Sequence, residues 1–176
     1  MEIIKSIEDF KKLESSVLTV GNYDGVHKGH QDVLKFLIRE AEKRKVPSCI
    51  ITFFPNPVYI LFNDKISVNL QSIESRLESF KEIGINKVLV IPFTEEFSKM
   101  SANNFAEKVI KNLFNPQLIS VGTNHYFGHK KEGDFNFLTN FCEENNIELH
   151  HPIMRKIDNE LVSSSIIRKL IMDGRL

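Results

Sequence analysis

Val17-Leu18-Thr19-Val20-Gly21-Asn22-Tyr23-Asp24-Gly25-Val26-His27-Lys28-Gly29-His30 opens on a compact β-prone run and stops it at a glycine. Residues 32–45 follow, placing Val33, Leu34, Leu37, Ile38 and Ala41 at the i, i+4, i+8 spacing of a helix with one buried face. The same alternation continues downstream. Residues 49–53 form a second apolar run, ended by Pro55 and Pro57, neither of which can donate to a central ladder. Residues 72–83 set Ile73, Leu77, Phe80 and Ile83 on one helical stripe, and Gly84 is a natural stop. Residues 87–92 read as a third strand, 104–113 as a helix facing Phe105, Val109, Ile110 and Leu113 inward, and 117–122 as a fourth strand. A helix within 133–146, a short strand at 147–149 and a last helix over 164–172 complete the chain. Strand, helix, strand, repeated in this way, predicts an α/β fold: a doubly wound, Rossmann-like parallel sheet covered on both faces. Residues 54–71 lack clear periodicity and read as a long loop over the site.

A chain of 176 residues suits one domain, and 41% hydrophobic with 26% charged residues is ordinary globular composition. Lys plus Arg (23) cancels Asp plus Glu (23), so no whole-surface field draws nucleic acid or an anionic membrane. A local basic pocket survives that balance. Only six of the cations are Arg, so an Arg near a phosphate site carries weight. Cys49 and Cys142 are too few for a disulfide framework or a multi-cysteine zinc site and fall on predicted buried faces. No apolar run approaches the roughly 18 residues of a membrane span, and no signal-peptide pattern opens the chain. The expectation is a soluble, cytoplasmic protein of one domain, its oligomeric state undetermined.

In doubly wound sheets ligands bind beyond the carboxyl ends of the strands, where the winding reverses. The turn after the first strand, residues 21–25, and that after the fourth, Gly122-Thr123-Asn124, become neighbours there if those strands are adjacent. The three glycines of residues 21–30 let backbone approach a ligand closely. The following helix aims unpaired N–H groups and the positive end of its dipole at whatever occupies the turn. His27 and His30, three apart, share one face of that helix start. Two imidazoles, Lys28 and a helix N-terminus describe an anion site, most simply for polyphosphate. The spacing matches neither G-x-G-x-x-G nor G-x-x-x-x-G-K-[ST], which demotes hydride transfer and P-loop hydrolysis. A zinc pair lacks the carboxylate and spacing of H-E-x-x-H, and a plain turn with surface histidines is the bland alternative. At the far end, Val162-Ser163-Ser164-Ser165-Ile166-Ile167-Arg168 offers serine capping of a helix. Arg168 near that helix start is unfavourable unless an anion is also there, which points to a bound phosphate.

Residues 21–30 resemble the G-N-F-D-G-V-H-x-G-H signature of bacterial FAD synthetases (FMN adenylyltransferases), whose H-x-G-H core runs through the nucleotidylyltransferase superfamily. Thr52-Phe53-Phe54-Pro55-Asn56-Pro57 resembles that family's T-F-x-P-H-P, with Asn56 in the histidine slot. Val121-Gly122-Thr123-Asn124-His125-Tyr126-Phe127-Gly128, then Gly133-Asp134, is similar to V-G-x-[DN]-F-x-F-G…G-D, with His125 in an aromatic slot. Ser163-Ser164-Ser165-Ile166-Ile167-Arg168 is similar to S-S-T-x-I-R. The resemblance implies a nucleotidylyltransferase-type fold and adenylyl transfer from ATP to FMN, giving FAD and pyrophosphate, with Mg2+ and no assigned metal ligands.

It further implies His27, His30 and Arg168 as catalytic groups. Gly21, Asn22, Tyr23, Asp24, Gly25, Gly122, Ser164 and Ser165 would face ATP, and Phe54, Pro55, Asn56, Pro57, Asn124, Tyr126 and Phe127 the flavin of FMN. Phe127 also has a core reading, and Lys130 and Lys131 read either as contacts for the flavin phosphate or as a solvated pair. Family members usually continue into a riboflavin kinase domain, for which residues 1–176 leave no room. The expectation is therefore the adenylyltransferase domain alone, as a protein of that one activity or a piece cut from a longer one. The alternatives are a relative with another phosphomonoester acceptor or nucleotide donor, and a non-catalytic binder of flavin or nucleotide.

Overall fold

The structure is a computed structural model that describes residues 1–62, 69–122, 125–152, 156–157, 160–161 and 163–174. Thr123, Asn124 and Val162 lie outside the described residues, and with Asn124 the place expected for it beside the flavin.

Each apolar run of the sequence becomes a strand. β1 (Glu2–Ile4), β2 (Ser16–Val20), β3 (Ser48–Phe54), β4 (Lys87–Pro92), β5 (Pro116–Ser120) and β6 (Glu148–His150) form one sheet in the order β1-β4-β3-β2-β5-β6. Every pairing in it is parallel. β7 (Lys156–Ile157) and β8 (Glu160–Leu161) make a separate antiparallel pair. The three-residue edge strand β1 is absent from the sequence reading, because so short a run shows no period.

Successive strand residues point to opposite faces, and both faces are covered. Val17, Ile50, Val88 and Leu118 pack with Leu34 and Leu37 of α1 (Lys28–Arg44) and Phe80 of α3 (Ile73–Ile83). Their neighbours Leu18, Ile51, Leu89 and Ile119 pack with Phe105, Val109 and Ile110 and with Leu138 and Phe141 of α5 (Phe135–Glu144). The first of these helical stretches begins as α4 (Ala102–Asn104) and runs on as a π-helix, Phe105–Phe114. The predicted doubly wound α/β sheet is therefore present. Cys49 and Cys142 are free and buried, with both thiols pushed up to about 12 by burial.

Two boundaries differ instructively. α1 begins at Lys28 rather than Asp32, so His27 is its N-cap and His30 lies in its first turn. Inside the supposed loop of residues 54–71 sits a short helix, α2 (Pro57–Phe62). Its start was legible: Pro is favoured at the first helical position, and Asn56 before it accepts from the Val58 N–H. α3 matches its expectation closely, with Ser72 capping the start and Gly84 closing the end at φ 104°.

All six strands run the same way, so their carboxyl ends share one edge. From β2 the sheet grows through β3, β4 and β1 on one side and β5 and β6 on the other. The winding reverses between β2 and β5, which puts the turns after these strands side by side at the expected crevice.

Candidate functional site

The turn after β2 is held by buried hydrogen bonds. Gly21 N–H donates to Ile51 O (3.0 Å), and Thr52 Oγ1 donates to Asn22 O (3.3 Å). Thr19 Oγ1 bonds both the Tyr23 hydroxyl and, across the switch point, Ser120 O, each at 2.5 Å. Tyr23 and Val26 adopt left-handed φ values of 52° and 32°, uncommon for any side chain and a true outlier for a β-branched one. Strain of this kind persists only where the surroundings over-determine it, and it clusters at functional sites.

Tyr23 corrects its sequence assignment. Its ring is 7% exposed, sits edge-on to Phe80 and packs 5.0 Å from the His30 ring. Burial pushes its hydroxyl well above the ordinary tyrosine range. The side chain is a prop beneath the turn, so the ring itself does not face the crevice.

His27 and His30 stack with ring centroids 3.6 Å apart and planes 19° from parallel. His27 Nδ1 accepts from the His30 backbone N–H at 3.4 Å, so in the neutral ring the proton resides on Nε2. Burial lowers His27, and burial, then the charges of His27 and Arg76, pushes His30 down to about 3. Near neutral pH His30 is therefore a neutral hydrogen-bond donor and not a cation. A neutral imidazole still carries one N–H to donate.

Asp24 is the hub. Its carboxylate, 2% exposed, accepts from Leu70 N–H (Oδ2, 3.1 Å) and Gln71 N–H (Oδ1, 3.1 Å). Arg168 Nη2 donates to Oδ2 at 2.5 Å, and Ser164 Oγ donates to the Asp24 carbonyl at 2.8 Å. Both residues belong to α6 (Ser164–Met172), whose N-cap Ser163 accepts from Ile166 N–H. Chain segments some 140 residues apart thus meet on one residue. The chain itself supplies an anion to Arg168, so a cation at this helix start does not by itself point to bound phosphate.

A second arginine was missed. Arg76, in α3, is 1% exposed, and its Nη2 lies 3.8 Å from Asp24 Oδ1. Burial pulls its guanidinium down from its ordinary value, Asp24 opposes that fall and Arg168 adds to it. In sequence it is one charged residue on an amphipathic helix; the only available hint was that its position follows Ile73 by three, on the buried stripe.

Around the proline turn, Asn56 is 6% exposed and its Oδ1 accepts from Asn22 Nδ2 (3.3 Å) as well as from the helix start. Asn22 Oδ1 is buried with no hydrogen-bond partner among the described residues. Phe54 (44% exposed) and Tyr126 (54% exposed) present open aromatic surface. Phe127 goes to the core instead, its ring between Phe105 and Phe137. His125 stacks on Phe127 and burial pushes it down to about 4. Lys131 stands over the Tyr126 ring at 5.7 Å, and Lys130 is exposed. Among the described residues no group of three or more His, Cys, Asp or Glu could hold a metal ion, and no helix is long and apolar enough to cross a membrane.

The family model for FAD synthetase matches residues 9–166. Two proteins named "Bifunctional riboflavin kinase/FMN adenylyltransferase", from Buchnera aphidicola subsp. Schizaphis graminum and Escherichia coli K12, are each 29% identical to the chain over its whole length. The chain spans 57% of the length of either. Among solved structures, one described as a macrolide-efflux protein from Streptococcus pneumoniae superposes with a TM-score of 0.84 at 25% identity, covering 99% of this chain and 58% of its own.

Proposed function

Because the chain belongs to the FAD synthetase family, we propose that it transfers the adenylyl group of ATP to FMN, giving FAD and pyrophosphate. Residues 1–176 form the adenylyltransferase unit in this reading, and the kinase activity in its relatives' names is not assigned to them. One observation supports it: Ser164 and Arg168 of α6 both bond Asp24, which lies three residues before His27, the N-cap of α1.

The nucleophile is an FMN phosphate oxygen, already anionic near neutral pH, so no strong base is required. It attacks the α-phosphorus of ATP in line; the new P–O bond forms as the bond to the bridging oxygen breaks, and pyrophosphate leaves with that electron pair. The demands are therefore alignment and stabilisation of charge on the departing phosphates. Neutral His27 donates from Nε2 and neutral His30 from its ring N–H, and Arg168 with the hydroxyls of Ser164 and Ser165 holds the leaving pyrophosphate. Two helix N-termini add their unpaired N–H groups. Gly21, Asn22 and Gly25 line the nucleotide, with Asp24 beneath them, and Gly122 gives the adenosine a surface without a side chain. Phe54, Pro55 and Pro57 with Tyr126 offer flat apolar area to the isoalloxazine, and Asn22 and Asn56 supply amides beneath it.

Magnesium enters as the counter-ion of ATP, since Mg2+ is bound largely through substrate phosphates. Asp24 does not suit it as a ligand, because both its oxygens already accept N–H bonds. Incubation with ATP, Mg2+ and FMN, followed by chromatography, is expected to yield FAD. No FAD at any enzyme concentration, or turnover with CTP alone, overturns the assignment in favour of another acceptor or donor. Flavin and ATP binding without turnover, unchanged in His30→Ala, favours a non-catalytic binder.

A further inference from the structure

Arg76 is among the largest fully buried side chains of the molecule. Taking a guanidinium out of water costs several kcal/mol after relaxation, so its position calls for a compensating role. Hydrogen bonding to Asp24 is not that role. The Asp24 carboxylate is already served by Leu70 N–H, Gln71 N–H and Arg168, and the Arg76 contact at 3.8 Å is too long for a hydrogen bond. Its Nε and Nη1 are buried without hydrogen-bond partners among the described residues. What Arg76 contributes to Asp24 is charge.

The count of charges is decisive. Asp24 and Arg168 alone would form a neutral pair, and a neutral pair has little attraction for pyrophosphate. With Arg76 behind Asp24, the three groups taken together, two arginines and one carboxylate, carry a single positive charge. Arg168 is the partly exposed member, its side chain 22% accessible against 2% for Arg76 and 2% for Asp24. The surplus charge therefore faces the crevice through Arg168, while the buried arginine provides the balance from within.

We propose that Arg76 is a positioning residue that takes up the charge of Asp24 from inside the core, so that Asp24 fixes Arg168 in place without cancelling it. This rests on the reading of the crevice as a polyphosphate site and adds to it the group that keeps the site cationic. A carboxylate can thus orient the phosphate-binding arginine in the empty protein and still release its charge to the ligand.

The test is a charge cycle on the whole chain, read by calorimetric titration with inorganic pyrophosphate and Mg2+ at low salt. At separations of several ångströms and an effective dielectric near 20, one lost charge changes affinity by about tenfold. Arg76→Met is expected to weaken pyrophosphate binding by about that factor, and Arg76→Lys, which keeps the charge, to stay within about threefold of wild type. Asp24→Asn with Arg76→Met restores the single net charge and is expected to recover most of the lost affinity, a coupling that a packing role would not produce. Should Arg76→Met not fold, Arg76→Gln takes its place: about tenfold weaker pyrophosphate binding that Asp24→Asn restores supports the proposal, and unchanged binding overturns it. Equal affinity in wild type and folded Arg76→Met, or no rescue in the double variant, overturns the role of Arg76 and leaves the crevice assignment standing. Absence of pyrophosphate and ATP binding in the wild-type protein overturns both.

Discussion

His30 and His125 are the imidazoles that the fold holds furthest from their ordinary proton affinity, near 3 and near 4 against 6.5. In each, burial disfavours the charged ring first. The unfolded chain therefore binds protons that the folded chain refuses, and stability falls as pH drops from about 6.5 toward the folded values. At pH 5 the loss is about 2 kcal/mol for each ring. Urea denaturation at pH 7 and pH 5 checks the sign: His125→Phe is expected to recover about 2 kcal/mol of the acid-induced loss, and an unchanged pH slope would show that His125 is not held neutral. The catalytic assignments face a separate measurement. Loss of one oriented donor costs about 2–4 kcal/mol of transition-state stabilisation, so Arg168→Ala and His30→Ala are each expected to lower kcat/KM by roughly 30- to 1,000-fold. Activity within about threefold of wild type in either variant contradicts its role.

At the level of elements, two glycines of the turn after β5 separate binding from folding. A Cβ on Gly122 would meet nothing within 4 Å, and this residue is exposed. A Cβ on Gly128 would lie 2.5 Å from the Ala102 backbone nitrogen, at a φ of +74° that side chains rarely adopt. Gly128→Ala is expected to lower the melting temperature, since backbone cannot yield cheaply and a residue forced into an unsuitable φ costs more than about 1 kcal/mol. Gly122→Ala is expected to melt with wild-type protein yet raise KM for ATP, if that backbone lies against adenosine. Normal KM for ATP in a folded Gly122→Ala removes Gly122 from the nucleotide surface. The elements themselves were largely legible, because Leu34, Leu37, Phe80, Val109 and Phe141 repeat at helical spacing and every one is buried. α2 escaped because six residues span fewer than two turns, and its signal lay in Asn56-Pro57 rather than in any period. His27 and Arg168 stand out in the sequence as candidate site residues through motif and position. Arg76 and the inward turn of Tyr23 were not, because each depends on contacts between segments far apart in sequence that no local pattern encodes.

Across the whole molecule the two halves of the crevice rest on unequal foundations. β2 and its turn stem from the sheet centre, where Val17, Leu18, Ile50 and Ile51 are fully buried. α6, which carries Ser164 and Arg168, has no buried residue at all, and Ile171 and Met172 at its end are 47% and 71% exposed. Its ties to the turn run through Ser164 to the Asp24 carbonyl and Arg168 to the Asp24 carboxylate. A segment with few buried apolar contacts belongs to the low-stability end of local unfolding, whereas central strands open only with the whole fold. Polyphosphate that contacts Arg168 and the α6 N-terminus binds the closed arrangement alone, so it must stabilise α6 by mass action. Hydrogen exchange on the free protein is expected to show α6 amides exchanging far faster than those of β2 and β3. Saturating pyrophosphate with Mg2+ is then expected to slow α6 by about 100-fold, the gain at a ligand concentration near 100 times Kd, while leaving β2 and β3 nearly unchanged. If α6 is already as protected as β3 without ligand, or gains no protection with it, α6 is not the closing half of the site and the crevice is a rigid one.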